Sequence, residues 1–339
     1  MLKVLAAVMM IMCMAGTSFA LENDSRVFTI YPDIRTEKVN FHNRYGIDLT
    51  GDMYLPKDFD AAKKYAAVAV CGPFGAVKEQ VSGLYAQEMA KNGYVAVAFD
   101  PSFNGESGGN VRNLPSPEIN TDDFSAAVDF LSTQDFVDPQ RIGIIGICGW
   151  GSMALNAAAA DTRIKATVTS TMYDMSRVSR NGYFDADDSE EKRYQTKKAI
   201  NDQRTKDYKA GTYTRAGGVV DPLPEDAPQF VKDYHAYYKT PRGYHKNSVN
   251  SNEGWNLSAM ITMFNMPMLS FVEEIRTPVL MVHGEKAHSR YMSEDTFKRL
   301  KGDNKELVIV PGASHCDLYD NKDAIPFAKI AAFFGENLK

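Results

Sequence analysis

Cysteine is scarce in this chain of 339 residues, which contains four: Cys13, Cys71, Cys148 and Cys316. Four cysteines are too few for a disulfide scaffold, and the sequence lacks the C-x-x-C pair of many redox proteins. If Cys13 is removed with a leader peptide, three cysteines remain, so at least one thiol is free or intermolecular. A free thiol kept in an exported protein indicates that this cysteine has a function.

An excess of basic residues is also absent. The chain has 38 Lys and Arg against 43 Asp and Glu, for a formal net charge of −5. Because no basic face is apparent, we expect no nucleic-acid partner. Hydrophobic residues at 44% and charged residues at 24% are typical of a globular protein with a buried core.

An apolar run, Val4–Met14, occurs near the N-terminus, but it is too short to span a bilayer comfortably. Lys3 precedes this run, and Ser18-Phe19-Ala20 follows it with the small residues of a cleavage site. The pattern predicts a signal peptide over residues 1–20, and the alternative is a retained membrane anchor. We therefore expect an exported protein, periplasmic or secreted, without stable membrane association after cleavage.

Apolar strands alternate with helices in two parts of the remaining chain, which indicates a mostly parallel sheet covered on both faces by helices. One of the predicted helices is Thr121–Leu131, with Thr121 as its N-cap. The alternation stops over residues 172–275, which we predict to be an inserted helical lid. Residues 21–171 and 276–339 then form an α/β core. The predicted strands are Lys38–His42, Ile47–Leu55, Ala66–Cys71, Tyr94–Phe99, Ile142–Ile147, Ile164–Ser170, Pro278–His283 and Glu306–Val310.

The segment around Cys148 carries the strongest chemical signal. The apolar strand Ile142–Ile147 leads directly into Cys148, and an alanine-rich helix begins at Gly149. This order is typical of a nucleophile elbow, in which a strand-to-helix turn presents one side chain to the substrate. The positive end of the helix dipole favours a thiolate at this position, so we expect a reactive cysteine.

Four segments follow one another along the chain: Asp100-Pro-Ser-Phe-Asn-Gly-Glu-Ser-Gly108, Gly146-Ile-Cys148-Gly-Trp150, His283-Gly284-Glu285 and Pro311-Gly-Ala-Ser-His315. Together they resemble the α/β-hydrolase fold, and the cysteine elbow is similar to that of dienelactone-hydrolase-like enzymes. The resemblance covers the chain from about Lys38 to its end and implies that Cys148 is the nucleophile. It also implies that His315, in the last strand-to-helix loop, is the general base. Trp150 departs from the family, which has glycine two positions after the nucleophile.

The acid of the triad is less well defined by the sequence. The family's aspartate position is occupied by Ala287, and Glu285, two residues earlier, is the first candidate for the acid. Asp174, just after strand Ile164–Ser170, is the alternative that the resemblance suggests. A cysteine–histidine pair without an acid is the third possibility.

The oxyanion hole requires two backbone N–H groups. Gly149 supplies one, as the residue that follows the nucleophile. The turn Gly72-Pro-Phe-Gly75 supplies the other, and Phe74 is the better donor because Pro73 has no N–H.

The sequence thus predicts an exported hydrolase that cleaves a small-molecule ester, lactone or thioester through a cysteine acyl-enzyme. One alternative is a thiol redox or sensor protein that uses Cys148 and Cys316. Another is a non-catalytic ligand-binding protein on a disabled hydrolase scaffold. We expect no cofactor and no metal, because His283, Glu285 and His288 lack the spacing of a zinc site. The oligomeric state is left open.

Overall fold

A computed structural model describes residues 24–339, so the predicted signal peptide at residues 1–20 lies outside the described residues. Eight strands form one sheet in the order β1-β2-β4-β3-β5-β6-β7-β8. Strand β2 pairs antiparallel with β1 and β4, and all other neighbours are parallel. The strands are β1 (Arg35–His42), β2 (Asp48–Leu55), β3 (Tyr65–Cys71), β4 (Val95–Phe99), β5 (Val137–Ile147), β6 (Ala166–Ser170), β7 (Val279–Gly284) and β8 (Lys305–Val310). The mostly parallel sheet is as predicted.

The helices pack on the sheet in two groups. One group contains α2 and α3, which contact each other and β5, and the other contains α1 and α10. Apolar strands β3 and β4 are buried along nearly their whole length, because helices cover both of their faces. The helices are α1 (Val81–Lys91), α2 (Pro117–Ser132), α3 (Gly149–Ala160), α4 (Met175–Asn181), α5 (Glu190–Ala210), α6 (Gln229–Tyr238), α7 (Ile261–Asn265), α8 (Arg290–Arg299), α9 (Asp317–Asp320) and α10 (Phe327–Asn337).

The start of α2 corrects the predicted N-cap. The helix begins at Pro117 and not after Thr121, and the Ser116 hydroxyl accepts a hydrogen bond from the Ile119 N–H at 3.3 Å. Proline suits the first helical position because the N–H it lacks has no partner there in any helix. The Thr121 hydroxyl instead donates to the Pro117 carbonyl within the helix, at 2.6 Å.

The segment between β6 and β7 is where the lid was predicted, over residues 172–275. It contains four α-helices, α4 to α7, and three short 3-10 helices at Tyr183–Asp185, Leu257–Met260 and Val272–Glu274. None of the helices described for residues 24–339 combines the length and apolar composition needed to cross a membrane.

The register of the parallel strands brings their carboxyl ends to one edge of the sheet. Cys71 pairs with Gly146, Ile147 with Ser170, and Ser170 with Val282. The turns that follow β3, β5, β6, β7 and β8 therefore lie side by side. This edge holds the candidate functional residues, as expected for an open α/β sheet.

A buried ionic cluster supports the first of these turns. The Lys78 side chain is fully buried, and its ammonium lies 2.6 Å from Glu79, 3.1 Å from Asp100 and 2.6 Å from Glu106. Burial alone would lower the pKa of Lys78, but the Asp100 and Glu79 carboxylates outweigh burial and raise it. Asp100 also accepts hydrogen bonds from the Lys78 and Glu106 N–H groups, both at 2.8 Å. The cluster ties the segment after β3 to the loop after β4.

Replacing Lys78 by methionine is expected to destabilise the protein by about 3–5 kcal/mol, because Asp100 would keep a buried charge without its partner. The measurement is the free energy of unfolding in urea. Lys38→Met is the matched control, since Lys38 also pairs with Glu106 but is 57% exposed, and it should cost at most about 1 kcal/mol. An equal loss of unfolding free energy in Lys78→Met and Lys38→Met would contradict this account of the cluster.

Candidate functional site

Cys148 occupies a strained turn between β5 and α3. Its backbone has φ 57° and ψ −126°, and its N–H donates to the Ser170 carbonyl at 2.9 Å. Positive φ is rare for a residue with a side chain, and such strain is concentrated at functional sites. Gly146 makes the turn possible, because a Cβ there would lie 2.2 Å from the Trp150 carbonyl oxygen. The geometry is that of a nucleophile elbow.

Trp150 does not obstruct this turn, although glycine was expected at its position. Its side chain is 1% exposed and packs edge-on against Phe99 and Phe124, with ring centroids 6.3 and 5.7 Å away. The large side chain therefore occupies the core below the elbow. Room above the elbow comes from Gly149, where a Cβ would lie 2.7 Å from the Phe74 Cβ.

Two backbone N–H groups and one hydroxyl lie near enough to the Cys148 thiol to lower its pKa in part. The N–H groups belong to Gly149 and Phe74, the residues predicted for the oxyanion hole, and the hydroxyl belongs to Tyr319. Phe74 is held in place by the lid, since its carbonyl accepts from the Asn250 amide at 2.7 Å and its ring lies 4.4 Å from that of Trp255. The structure thus brings both predicted donors to the sulfur.

His315 lies in the loop between β8 and α9, as predicted, and faces the same hydroxyl. Its Nε2 is 3.2 Å from the Tyr319 hydroxyl, which also contacts the Cys148 thiol. The Tyr319 hydroxyl therefore lies near both His315 and Cys148. Tyr319 was not identified from the sequence; its position four residues after His315, one helical turn away, was the available signal.

Neither candidate acid bonds to His315. The Glu285 side chain is exposed, and its carboxylate accepts a hydrogen bond from the Gly312 N–H at 2.7 Å. Asp174 caps α4, accepting from the Arg177 N–H at 2.9 Å. Both carboxylates thus stabilise loops or helix ends, and the short side chain of Asp174 is occupied by its own helix.

Hydroxyl groups occupy the place of the acid. The Nδ1 atom of His315 lies 2.7 Å from the Ser289 hydroxyl and 2.8 Å from the Thr171 hydroxyl. Thr171 follows β6 directly, and Ser289 immediately precedes α8. Neither residue was identified from the sequence, because lone serines and threonines in loops carry no distinguishing pattern.

Burial sets the resting charge of the pair. Burial raises the pKa of the Cys148 thiol, although the contacts with Tyr319, Gly149 and Phe74 lower it in part. Burial, with smaller contributions from His288 and His283, lowers the pKa of His315 well below its usual range. Both groups are therefore neutral in the closed site. Desolvation thus opposes the helix dipole, which was expected to favour a thiolate at this position.

The lid closes the site almost completely. Cys148 is 7% exposed and His315 is 1% exposed. Arg242 joins the lid to the His315 loop, since its guanidinium lies 2.6 Å from the Asp320 carboxylate and 3.1 Å from the Cys316 carbonyl. Two surface pockets of about 570 and 550 Å³ lie elsewhere, and neither is lined by Cys148 or His315. Both side chains are thus shielded from solvent.

Tyrosines line the closed space around the sulfur. Burial raises the pKa of each hydroxyl, and a negative charge at Cys148 would raise it further. The Tyr173 ring lies 5.1 Å and the Tyr234 ring 5.4 Å from the His315 ring, measured between centroids. The lining is aromatic with several hydroxyl groups. These tyrosines are Tyr173, Tyr234, Tyr238 and Tyr319.

The three described cysteines are free thiols. Cys148, Cys316 and Cys71 are all buried, and Cys316, next to the base, is 1% exposed. Burial raises the pKa of the Cys316 thiol well above its usual range. Cys316 thus has the character of a small buried side chain.

Comparison with known proteins places the chain among hydrolases. The family described as X-Pro dipeptidyl-peptidase (S15 family) matches residues 45–317. The uncharacterized protein PA2218 of Pseudomonas aeruginosa is 52% identical over 314 residues, covering 92% of this chain and 84% of that protein. Its crystal structure has a TM-score of 0.90 at 51% identity, covering 94% of this chain and 98% of that chain.

More distant relatives agree on the fold. The α/β hydrolase GrgF from Penicillium sp. sh18 has a TM-score of 0.73 at 18% identity, covering 90% of this chain and 99% of that chain. Thiohydrolase aneE of Aspergillus aculeatus is 36% identical over 132 residues, 39% of this chain and 40% of that protein. These similarities confirm the predicted α/β-hydrolase fold. The narrower dienelactone-hydrolase resemblance and the cysteine nucleophile remain predictions.

Glu285→Gln and Asp174→Asn should each retain ester hydrolysis within about threefold of the wild type, because the amides keep the capping contacts and neither carboxylate serves His315. The measurement is kcat/KM on a chromogenic ester. A loss of about 10⁴-fold, the size seen when a triad carboxylate is lost, would show that this carboxylate reaches His315 in the working enzyme.

Alkylation of Cys148 by iodoacetamide should become faster throughout the range from pH 7 to 9, because a thiol with a raised pKa forms its thiolate only at high pH. The rate is measured by mass spectrometry in a Cys71→Ala/Cys316→Ala background, so that only one described thiol reacts. A rate already constant by pH 6 would instead indicate a thiolate–imidazolium pair.

Proposed function

We propose a function from the premise that this chain belongs to the X-Pro dipeptidyl-peptidase (S15) family and is an enzyme of the α/β-hydrolase type. The proposed reaction is hydrolysis of a small-molecule ester, lactone or thioester through an acyl-enzyme on Cys148. One observation carries the proposal: the strained turn of Cys148 lies at the sheet edge that also holds His315, whose Nε2 is 3.2 Å from the Tyr319 hydroxyl. The same hydroxyl and the N–H groups of Gly149 and Phe74 lower the pKa of the Cys148 thiol in part.

The first half of the reaction forms the acyl-enzyme. His315 Nε2 accepts the thiol proton as Cys148 Sγ attacks the substrate carbonyl carbon, which becomes tetrahedral. The negative charge moves to the carbonyl oxygen, where the N–H groups of Gly149 and Phe74 stabilise it. When the carbonyl re-forms, the bond to the leaving group breaks, and the imidazolium of His315 returns its proton to the departing oxygen or sulfur.

The second half of the reaction releases the acid. A water molecule gives one proton to His315 Nε2 and attacks the acyl carbon, and the same two N–H groups hold the oxyanion. The carbon–sulfur bond then breaks, and the His315 proton returns to the Cys148 sulfur. The neutral resting pair suits this cycle, because the imidazole is unprotonated at its start and can act as a base.

The substrate class follows from the nucleophile. A thiolate leaves a tetrahedral intermediate more readily than an alkoxide or an amide nitrogen, so a cysteine enzyme favours activated esters and thioesters over plain amides. The aromatic lining formed by Tyr173, Tyr234, Tyr238 and Tyr319 suits a compact acyl group without charge. The partial similarity to thiohydrolase aneE supports the same class.

The proposal also includes the dienelactone-hydrolase-like branch and the export of the protein. The cysteine elbow, with its histidine in the last loop, supports kinship with dienelactone-hydrolase-like enzymes. Residues 1–20 support export to the periplasm or secretion. The redox alternative has less support, because Cys148 and Cys316 are both free and buried.

Cys148→Ala should abolish hydrolysis of p-nitrophenyl esters, and intact-protein mass spectrometry of the wild type should show an acyl adduct that the variant lacks. Cys316→Ala and Cys71→Ala are the matched controls and should keep both the activity and the adduct. A Gly-Pro p-nitroanilide serves as the amide substrate and should be cleaved far more slowly than the esters.

Three results would contradict the proposal. Full ester hydrolysis by Cys148→Ala would remove Cys148 as the nucleophile. A disulfide joining Cys148 to Cys316, without any acyl adduct, would favour the redox alternative. Ligand binding without turnover across a panel of esters and thioesters would favour the non-catalytic alternative.

A further inference from the structure

A chain of four buried side chains extends from the base into the core. His315 Nδ1 lies 2.7 Å from the Ser289 hydroxyl, and the same hydroxyl lies 2.9 Å from His283 Nε2. His283 Nδ1 lies 2.6 Å from the Ser293 hydroxyl. His283, Ser289 and Ser293 are 0% exposed. A second imidazole is therefore linked to the base through one serine.

The elements of the core hold this chain in register. His283 is the penultimate residue of β7, whose partner β8 leads into the His315 loop. Ser289 and Ser293 are four residues apart at the start of α8, so they face the same side of that helix. The fold thus fixes both serine hydroxyls against His283.

Proton counting connects the tautomers of the two histidines. A serine hydroxyl has one proton, so Ser289 donates to one imidazole nitrogen and accepts from the other. If His283 carries its proton on Nδ1 and donates to Ser293, its Nε2 accepts from Ser289, whose oxygen then accepts from His315 Nδ1–H. If His283 carries its proton on Nε2, Ser289 donates to His315 Nδ1, and the His315 proton moves to Nε2. Only the first arrangement leaves His315 Nε2 free to act as a base.

Resting on the function proposed above, we propose that His283 and Ser289 are positioning residues that hold the proton of His315 on Nδ1. They perform through two neutral side chains the orienting task of the carboxylate in a Ser-His-Asp triad. Thr171 provides a second acceptor for the same N–H, at 2.8 Å. Ser293 fixes His283 in turn.

The charge state of His283 agrees with this role. Burial, with smaller contributions from His288 and Arg290, lowers the pKa of His283 to about 3. The imidazole therefore stays neutral near pH 7, with one nitrogen that donates and one that accepts. A neutral partner also suits a histidine whose own burial disfavours the imidazolium.

Ser289→Ala should lower kcat by about a hundredfold with little change in KM, because the link to His283 is lost while Thr171 still accepts from Nδ1–H. This loss is smaller than the drop in kcat of about 10⁴-fold in a triad whose histidine has the wrong tautomer. His283→Leu should lower kcat at least as much. His283→Gln, which keeps a donor and an acceptor, should recover activity to within about tenfold of the wild type. Ser270→Ala and His42→Leu, at exposed positions, are the matched controls and should leave kcat unchanged.

The His315 tautomer is measured directly by NMR of ¹⁵N-histidine-labelled full-length protein, with the His315 signals assigned from a His315→Gln variant. The wild type should show a protonated Nδ1 and a free Nε2, and Ser289→Ala and His283→Leu should show a population protonated on Nε2. A cooperative unfolding transition in urea, with the slope of the wild type, shows that each variant is folded.

Two results would overturn this inference. One is wild-type kcat in both Ser289→Ala and His283→Leu. The other is a His315 proton that stays on Nδ1 in every variant, because any loss of kcat would then come from structural damage and not from a change of tautomer. The tautomer readout uses the resting enzyme and needs no substrate, so failure of the positioning role is distinguishable from failure of Cys148 as the nucleophile.

Discussion

The alignment of parallel strand ends is the constraint on which the site depends. Strands β3, β5, β6, β7 and β8 are held in register by their backbone hydrogen bonds, so their C-terminal turns meet at one edge. Each turn contributes one component: an N–H from the turn after β3, the thiol after β5, the Thr171 hydroxyl after β6, the Ser289 hydroxyl after β7 and the imidazole after β8. Residues that are distant in sequence become neighbours because the sheet leaves them little freedom.

Desolvation then determines the chemistry at this edge. The lid buries Cys148 and His315, and burial disfavours the charged form of both groups. A buried carboxylate beside His315 would itself need a compensating charge. Hydroxyl groups from Thr171 and Ser289 can orient the ring without adding a charge to the site. The neutral thiol and imidazole thus have neutral hydroxyl partners, as a buried site favours.

The comparison of sequence with structure is clearest where predictions failed. Glu285 was chosen for its position near the end of β7, but the loop turns its side chain outward to the Gly312 N–H. Thr121 has the right residue type for an N-cap, yet the helix begins earlier, because Pro117 and Ser116 form a better start. In both cases the residue type allowed two roles, and neighbours in the tertiary structure chose between them.

The sequence by itself determined the alternation of strands and helices, the elbow at Cys148, the place of His315 and the glycine-flanked turn that carries Phe74. These features are local, since each depends on apolar periodicity or on the conformational demands of a turn. Only the tertiary structure decided the partners of His315, the desolvation of the thiol and the position of Tyr319 beside His315. Those features depend on burial and on distances between residues far apart in the chain, which no local pattern encodes.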